Sequence, residues 1–356
     1  MSSAAATAKA VRSGRLKPHD LLDSTLHRVQ ERDTLNAYVP TDDAPILGKR
    51  EGLLAGVPVS VKDNLLVQGD LCRCGSRALE GYRAPYTAHV VDQLLKSGAS
   101  LVGRSNMDEF GMGSTTESSC FGPTLNPWNP SHVPGGSSGG AAASVAAGFT
   151  AIALGSSTGG SLRQPAAYCG VVGLKPTYGR LSRRGLMAYA SSLDVPGPIA
   201  ATVNDCALAF RAMMGEDPLD SSQTPGAAFP PIPTQLKGAE GGLRIGVIQE
   251  ALTAGNHPDI NACVMHAASL MEAEGALIQT CSLPELDRSL AAYYVIAPAE
   301  ASSNLARIDG LRFGPCSEAQ TLQDLYRHNR SSGFGREVKR RILMGTYCLS
   351  SGYADA

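Results

Sequence analysis

The alternation of apolar and polar positions predicts a chain in which strands and helices follow one another. The apolar run Leu54–Val67 is rich in β-branched residues and contains Gly and Pro, which predicts a buried strand with Lys62 at or near its end. A helix over His89–Lys96 and a short strand over Ala99–Gly103 follow, and Thr150–Gly155 is predicted as another buried strand. Because this order is typical of strand–helix–strand units, we expect an α/β fold built on a sheet.

Apolar residues at helical spacing also mark the start of the chain. Between residues 17 and 31 they recur at Leu21, Leu22, Leu26 and Val29. We therefore assign residues 1–53 to a helical segment packed on the core, and residues 54–356 to the main domain. Within that domain, residues 243–248 are predicted as a strand and residues 259–274 as a helix.

Composition places the chain among globular proteins. Of its 356 residues, 43% are hydrophobic and 18% are charged, which is enough to bury a large core. A formal net charge of -1 gives no basic excess that would attract nucleic acid or anionic lipid. No apolar run reaches the ~18 residues of a membrane span, so we expect no membrane association. Any contact with RNA must then be local or supplied by a partner.

The first residues of the chain allow two interpretations. They are rich in Ala, Ser and basic residues and contain no acidic residue before Asp20, which weakly resembles an organellar transit peptide. The same stretch is equally well interpreted as a helix. We expect a cytoplasmic location if the source is bacterial, and a mitochondrial or plastid location if it is eukaryotic.

The nine cysteines indicate a reducing compartment, because an odd number scattered along a long chain is unlike a secreted disulfide framework. Cys72 and Cys74 form the one close pair that suggests a metal. Their Cys-x-Cys spacing is narrower than that of zinc sites, and no second Cys or His pair follows. We expect no metal site.

Two clusters of glycine and serine, Pro134–Gly140 and Ser156–Ser161, stand inside apolar sequence. A flexible linker is one interpretation of such composition. Buried backbone amides need partners, however, so we expect the glycines to allow a ligand to approach closely. Neither cluster has the Gly-Lys-Ser/Thr ending of a phosphate loop or the spacing of a dinucleotide fingerprint. The interpretation left is a turn whose N–H groups stabilise an oxyanion.

A serine in such a turn is a candidate nucleophile, which needs a base. None of the seven histidines lies in a glycine-rich segment, and the Gly-x-Ser-x-Gly elbow is absent. Lys62 stands in an apolar strand, where desolvation would lower its pKa from about 10.4 toward the ~7–8 of a working base. The alternative is a structural lysine paired with Asp63, and the spacing alone does not decide between them.

The residues around these candidates resemble the amidase signature family. The resemblance runs from about residue 54 to the end, and its core is the three stretches GVPVSVKDN, PGGSSGGAAASVAAG and TGGSLRQPAAYCGVVGLKPTYGRLSRRG. It implies a central mixed β-sheet flanked by helices on both faces. It also implies a triad in which neutral Lys62 takes a proton from Ser137, and Ser137 takes one from the nucleophile Ser161. The peptide bond before Ser137 would be cis, and the amides of Thr158, Gly159, Gly160 and Ser161 would hold the oxyanion.

Other stretches are similar to the branch of this family that serves tRNA-dependent amidotransferases. They are NMDEFGMGSTTESSCFGPTLNPWNP, SLDVPGPI, EASSNLARIDGLRFG and GREVKRRILMGTYCLSSGY. This resemblance implies a subunit that hydrolyses glutamine and passes ammonia to B and C subunits in a heterotrimer. It implies no cofactor on this chain, since ATP and Mg are used by the partner subunit, which also receives the mischarged tRNA.

The same resemblance assigns the glutamine pocket. Arg341 would pair with the glutamine carboxylate, because a guanidinium can form two parallel bonds to a carboxylate. The adjacent Arg340 is the alternative candidate for this role. Met112 and either Tyr293 or Tyr294 would line the pocket.

Two departures from the family pattern bear on activity. Ser157 stands where relatives typically have Asp, which removes an acidic residue that helps to hold the loop. Relatives also continue beyond the position of Ala356, with an acidic residue that binds the glutamine amino group. Two alternatives therefore stay open, namely a stand-alone amidase acting on a small or acyl amide and a catalytically weakened scaffold subunit.

Overall fold

A computed structural model describes residues 3–223, 242–350 and 352. The helices in these ranges are α1 Ala4–Arg12, α2 Pro18–Arg32, α3 His89–Lys96, α4 Gly139–Ala146, α5 Arg163–Tyr168, α6 Val203–Met213, α7 Pro258–Ala273, α8 Leu286–Asn304, α9 Leu322–Gly333 and α10 Arg336–Cys348. The strands are β1 Pro58–Lys62, β2 Ser100–Ser105, β3 Ile152–Ser157, β4 Val172–Gly173, β5 Val195–Ala200, β6 Arg244–Ile248 and β7 Leu277–Cys281.

A five-stranded mixed sheet, in the order β2-β1-β3-β5-β4, forms the centre of the larger of two compact units. The three strands β2, β1 and β3 run parallel, whereas β5 is antiparallel to both β3 and β4. The predicted α/β class with a central mixed sheet is thus confirmed. The strand predicted to carry Lys62 is also confirmed, since β1 ends at Lys62 and is buried throughout.

Helices cover both faces of this sheet because side chains along a strand point alternately to its two sides. On β3, Ile152 and Leu154 join a core cluster with α1, α3 and α6. Ala153, which lies between them, joins a second cluster with α4 and α5. The site described below therefore rests on a scaffold that is packed on both sides.

The helices α1 and α2 form the start of the chain, as the apolar spacing predicts. Ala4, Ala8 and Val11 of α1 are buried in the larger core cluster, and Leu22 of α2 is also buried. The division of the chain at residue 53 stays a prediction.

The second unit, described over residues 242–296, contains a parallel pair of strands, β6 and β7, together with α7 and the first part of α8. The strand predicted over 243–248 and the helix predicted over 259–274 are both present, within one residue at each end. In the described part of the chain, no helix combines the length and the apolar character needed to cross a membrane.

Gly140 in the first turn of α4 gives a test of this packing. A Cβ at Gly140 would lie 2.5 Å from both the carbonyl oxygen of Ala37 and the amide nitrogen of Asn106. Alanine in a helix is normally favoured over glycine by about 1 kcal/mol. Because both neighbours are backbone atoms, we expect Gly140→Ala instead to lower the free energy of unfolding by about 1–3 kcal/mol in urea denaturation.

Gly160→Ala is the matched control for this substitution. Its nearest neighbour would be the Cβ of Gln164 at 3.8 Å, so we expect a change of less than about 0.5 kcal/mol. Equal unfolding midpoints for the two variants would contradict the packing described here.

Candidate active site

The three predicted triad residues come from turns and strand ends at one edge of the sheet. Lys62 is the last residue of β1, and Ser161 lies in the turn that leads from β3 to α5. Because β1 and β3 are parallel neighbours, their carboxyl ends share an edge, which is where α/β sheets bind ligands. Ser137 lies two residues before α4, which packs on the same strands.

Lys62 donates to three neutral oxygens in this site. Its Nζ bonds to the hydroxyl of Ser137 at 2.7 Å, to that of Ser138 at 2.9 Å and to the carbonyl of Ser156 at 3.4 Å. The alternative, an ion pair between Lys62 and Asp63, is not found among the described residues. Asp63 pairs instead with Arg104, whose Nε lies 3.4 Å from the carboxylate. The structure therefore brings together Lys62 and Ser137. The Gly136–Ser137 peptide bond is cis, as the resemblance implies.

Burial controls the charge of Lys62. The side chain is fully buried, and this desolvation lowers its pKa to about 7, although the charges of Asp108, Asp194 and Cys74 act in the opposite direction. Burial likewise raises the pKa of Asp194 to about 7. A large fraction of Lys62 is consequently neutral at physiological pH, which a general base requires.

Two bonds tie the turn of Ser137 to the elements on either side of the Ser161 turn, α5 and β3. The amide of Gly136 donates to Oε1 of Gln164 at 2.8 Å, and the hydroxyl of Ser138 donates to the carbonyl of Ser156 at 3.1 Å. Ser161 itself is mostly buried, with 7% of its surface exposed.

The predicted oxyanion donors occupy the accessible part of the same turn. Gly159 is exposed, while Thr158 and Gly160 are half-buried. The role of their amides as an oxyanion hole stays a prediction.

Asp108 supports the turn of Ser137, and the sequence alone did not single it out. Its carboxylate accepts the amides of Thr116 at 2.9 Å and Thr115 at 3.3 Å and the hydroxyl of Ser118 at 2.9 Å. Its own amide donates to the carbonyl of Ser137 at 3.2 Å. A Cβ at Gly136 would overlap this carboxylate, so only glycine fits there. Because Asp108 follows β2, the neighbour of β1, the shared sheet edge is the signal that could have found it.

Arg341 is buried, and its side chain bonds to two described residues. Its Nη1 donates to the hydroxyl of Tyr189 at 2.8 Å, and its Nε donates to Glu337 at 2.8 Å. Arg340 forms an exposed pair with the same glutamate. Of the two adjacent arginines, Arg341 is therefore the one that faces the interior.

For Met112, Tyr293 and Tyr294, the other predicted pocket residues, the structure gives the immediate surroundings. Met112 is fully buried. Tyr293 and Tyr294 belong to α8 within the second unit, where their rings contact each other edge to face at 5.5 Å. Their role in a glutamine pocket stays a prediction.

Ser157, the departure from the family pattern, ends β3 and is 2% exposed. Its Oγ has no hydrogen-bond partner in the described residues, and the same is true of Oδ1 of Asn64. Within the described ranges, no group of three or more His, Cys, Asp or Glu side chains is placed to hold a metal ion.

A buried lysine bonded to a serine beside a glycine-rich turn that carries a second serine is the arrangement of a serine hydrolase that uses lysine as base. The family model described as Amidase matches residues 22–356. The chain therefore belongs to the amidase family, and it is an enzyme of that class.

Curated relatives have similar sequences over nearly the whole chain. The A subunit of glutamyl-tRNA(Gln) amidotransferase from Halothermothrix orenii is 49% identical over 352 residues, which cover 97% of this chain and 74% of that protein. The corresponding protein of Deinococcus radiodurans is 48% identical, and the match covers 99% of this chain and 75% of its own length.

Solved structures show the same fold. The A subunit of glutamyl-tRNA(Gln) amidotransferase from Thermotoga maritima superposes with a TM-score of 0.77 at 39% identity, over 95% of this chain and 69% of that one. The peptide amidase of Stenotrophomonas maltophilia gives a TM-score of 0.80 at 26% identity, over 99% of this chain and 77% of that one.

We expect Asp108→Asn to destabilise the turn that holds Ser137. One carboxylate oxygen would become an NH2 group facing N–H or O–H donors, which leaves buried donors without an acceptor. The expected loss in the free energy of unfolding is about 1–3 kcal/mol, measured by urea denaturation.

Glu117→Gln provides the control because Glu117 lies on the same loop but is exposed. We expect it to change the stability by less than about 0.5 kcal/mol. A loss as large as that of Asp108→Asn would mean that the loop responds to any change of charge.

Proposed function

We propose that this chain is the glutaminase subunit of a tRNA-dependent amidotransferase that forms Gln-tRNA(Gln) from Glu-tRNA(Gln). The observation that carries the proposal is the 2.7 Å hydrogen bond between Nζ of Lys62, whose pKa is about 7, and the hydroxyl of Ser137. Relatives about half identical, named for that amidotransferase subunit, support glutamine as the amide.

The reaction begins with two proton transfers. Neutral Lys62 takes the proton of Ser137, and Ser137 takes the proton of Ser161 as its oxygen attacks the amide carbonyl. The amides of Thr158, Gly159 and Gly160 would hold the oxyanion, where one donor is typically worth about 3–4 kcal/mol. The C–N bond then breaks, and the nitrogen leaves as ammonia after taking a proton back from the serine relay. Water hydrolyses the Ser161 ester to release glutamate.

In this proposal, the steps that use the released ammonia take place on the other subunits of the complex. The chain would carry no cofactor of its own and would act with B and C subunits, the B subunit using ATP and Mg and receiving the mischarged tRNA. This division agrees with the chain's formal net charge of -1, which provides no broad basic surface for tRNA. The relatives are bacterial, so we propose a cytoplasmic site of action, with a mitochondrion or plastid as the counterpart in a eukaryote.

A stand-alone amidase is the second candidate function. The structural similarity to the peptide amidase of Stenotrophomonas maltophilia favours it, because the scaffold and the Lys62 site suit many amides. The hydroxyl of Ser157, which lacks a partner among the described residues, is the observation that favours a weakened scaffold subunit.

Trapping of the acyl-enzyme separates these functions. We expect glutamine to form an ester on Ser161 that mass spectrometry detects after a rapid acid quench, together with ammonia release that rises when B and C subunits are added. Ser161→Ala and Lys62→Ala should lower the rate by on the order of 10⁴ to 10⁶. Turnover of simple amides without any turnover of glutamine would identify a stand-alone amidase, and the absence of an adduct in the assembled complex would identify a scaffold.

The rate should also depend on pH through the Lys62 and Asp194 pair. The base must be neutral, so we expect kcat/KM to fall about tenfold per pH unit below an apparent pKa near 7 and to level off above it. Circular dichroism over the same range checks that the enzyme stays folded. A profile that is flat from pH 5.5 to 8.5 would rule out Lys62 as a base with a pKa near 7, and a midpoint near 10 would show that burial does not lower the pKa of Lys62.

A further inference from the structure

Asp194 connects the Lys62 site to a loop that begins at Tyr189. The Asp194 side chain is buried, and one of its carboxylate oxygens accepts the amides of Tyr189 at 2.8 Å and Ala190 at 3.1 Å. Its next residue, Val195, pairs with Ser157 at the end of β3. The charge of Asp194 also acts on Lys62. The loop over residues 189–194 is therefore closed by a buried side chain whose charge acts on the base.

Tyr189 links this loop to Arg341 through a hydrogen bond. It is 3% exposed, its hydroxyl accepts the 2.8 Å bond from Arg341, and its ring centre lies 5.7 Å from the guanidinium carbon. Its carbonyl accepts from the side chain of Asn304 at 3.2 Å, which anchors the loop to α8. A residue on α10 is thus joined through Tyr189 and Asp194 to the edge of the sheet that carries the base.

The orientation of the guanidinium decides what it can bind. A carboxylate is bound by two parallel N–H bonds only when the plane of the guanidinium is fixed. Glu337 holds the Nε edge of Arg341 and Tyr189 holds Nη1, so the plane is set from two elements far apart in sequence. Glu337 lies on the same helix as Arg341, whereas Tyr189 is the anchor that comes from the side of the catalytic site.

We propose that Tyr189 is a positioning residue that determines specificity for an amide bearing a carboxylate, by fixing the guanidinium of Arg341 through its hydroxyl. The inference rests on the proposed function and adds the group that orients the carboxylate contact. The hydroxyl is the part that acts, because the loop is held by the backbone of Tyr189 and would keep its bonds to Asp194 and Asn304 in a Tyr189→Phe variant.

The test uses Tyr189→Phe in the chain assembled with its B and C subunits. We expect KM for glutamine to rise about five- to twentyfold, since a hydrogen bond to a charged group is lost, with kcat within about twofold of the wild type. An uncharged fluorophosphonate that labels Ser161 should react at the wild-type rate, because it has no carboxylate for Arg341 to bind.

Tyr178→Phe is the matched control. The Tyr178 hydroxyl donates to the carbonyl of Ser191 in the same loop at 2.9 Å, but Tyr178 is largely exposed and this bond does not involve Arg341. We expect its KM to equal that of the wild type. In the Arg341→Ala background, adding Tyr189→Phe should have no further effect on KM, because the two residues act through one contact.

Each contrary outcome points to a different failure. If the assembled wild type is labelled on Ser161 but does not hydrolyse glutamine, the proposed function fails, and the role of Tyr189 fails with it. If glutamine is hydrolysed and Tyr189→Phe has the wild-type KM, only the role of Tyr189 fails. Equal losses in glutamine turnover and in labelling would show that the hydroxyl merely supports the fold.

Discussion

The burial of one lysine amine among neutral oxygens is the constraint on which this site depends. An ammonium group fully removed from water needs a counter-ion or must lose its proton. The amine of Lys62 is hydrogen-bonded to two serine hydroxyls and a backbone carbonyl, while the adjacent Asp63 forms an ion pair with Arg104. The carboxylate next to Lys62 in sequence is thus paired with a guanidinium and not with the amine. It obtains a base that works near neutrality without a histidine.

The first glycine-rich turn follows from the same constraint. A serine can reach a buried amine only if its backbone passes through the packed edge of the sheet, where side chains would collide. Gly136 lies against Asp108 in this way, and a Cβ at Gly155 would come within 2.8 Å of the hydroxyl of Ser138. The linker interpretation of the first cluster is therefore wrong in this fold, because a Cβ at Gly135, Gly136, Gly139 or Gly140 would overlap neighbouring atoms.

Much of the scaffold could be predicted from the sequence, because strands such as β1 and helices such as α3 are marked by local apolar patterns that burial preserves. The bond between Lys62 and Ser137 joins residues 75 positions apart, and only resemblance to a family suggested it. Asp108 and Tyr189 were missed because their roles come from contacts with backbone amides and with α10, which no local pattern records. Acidic and aromatic residues in loops have too many ordinary uses for their type alone to reveal such contacts.

The antiparallel strand β5 has a consequence for how such a site can diversify. In a purely parallel sheet, one edge receives only segments that follow strands, but here the segment that precedes β5 arrives beside the end of β3. The turn that bears the nucleophile and the loop that contacts Arg341 thus come from separate stretches of chain with separate supports. Substitutions in the loop that contacts Arg341 can therefore change which amide is bound, while the turn that bears the nucleophile keeps its sequence.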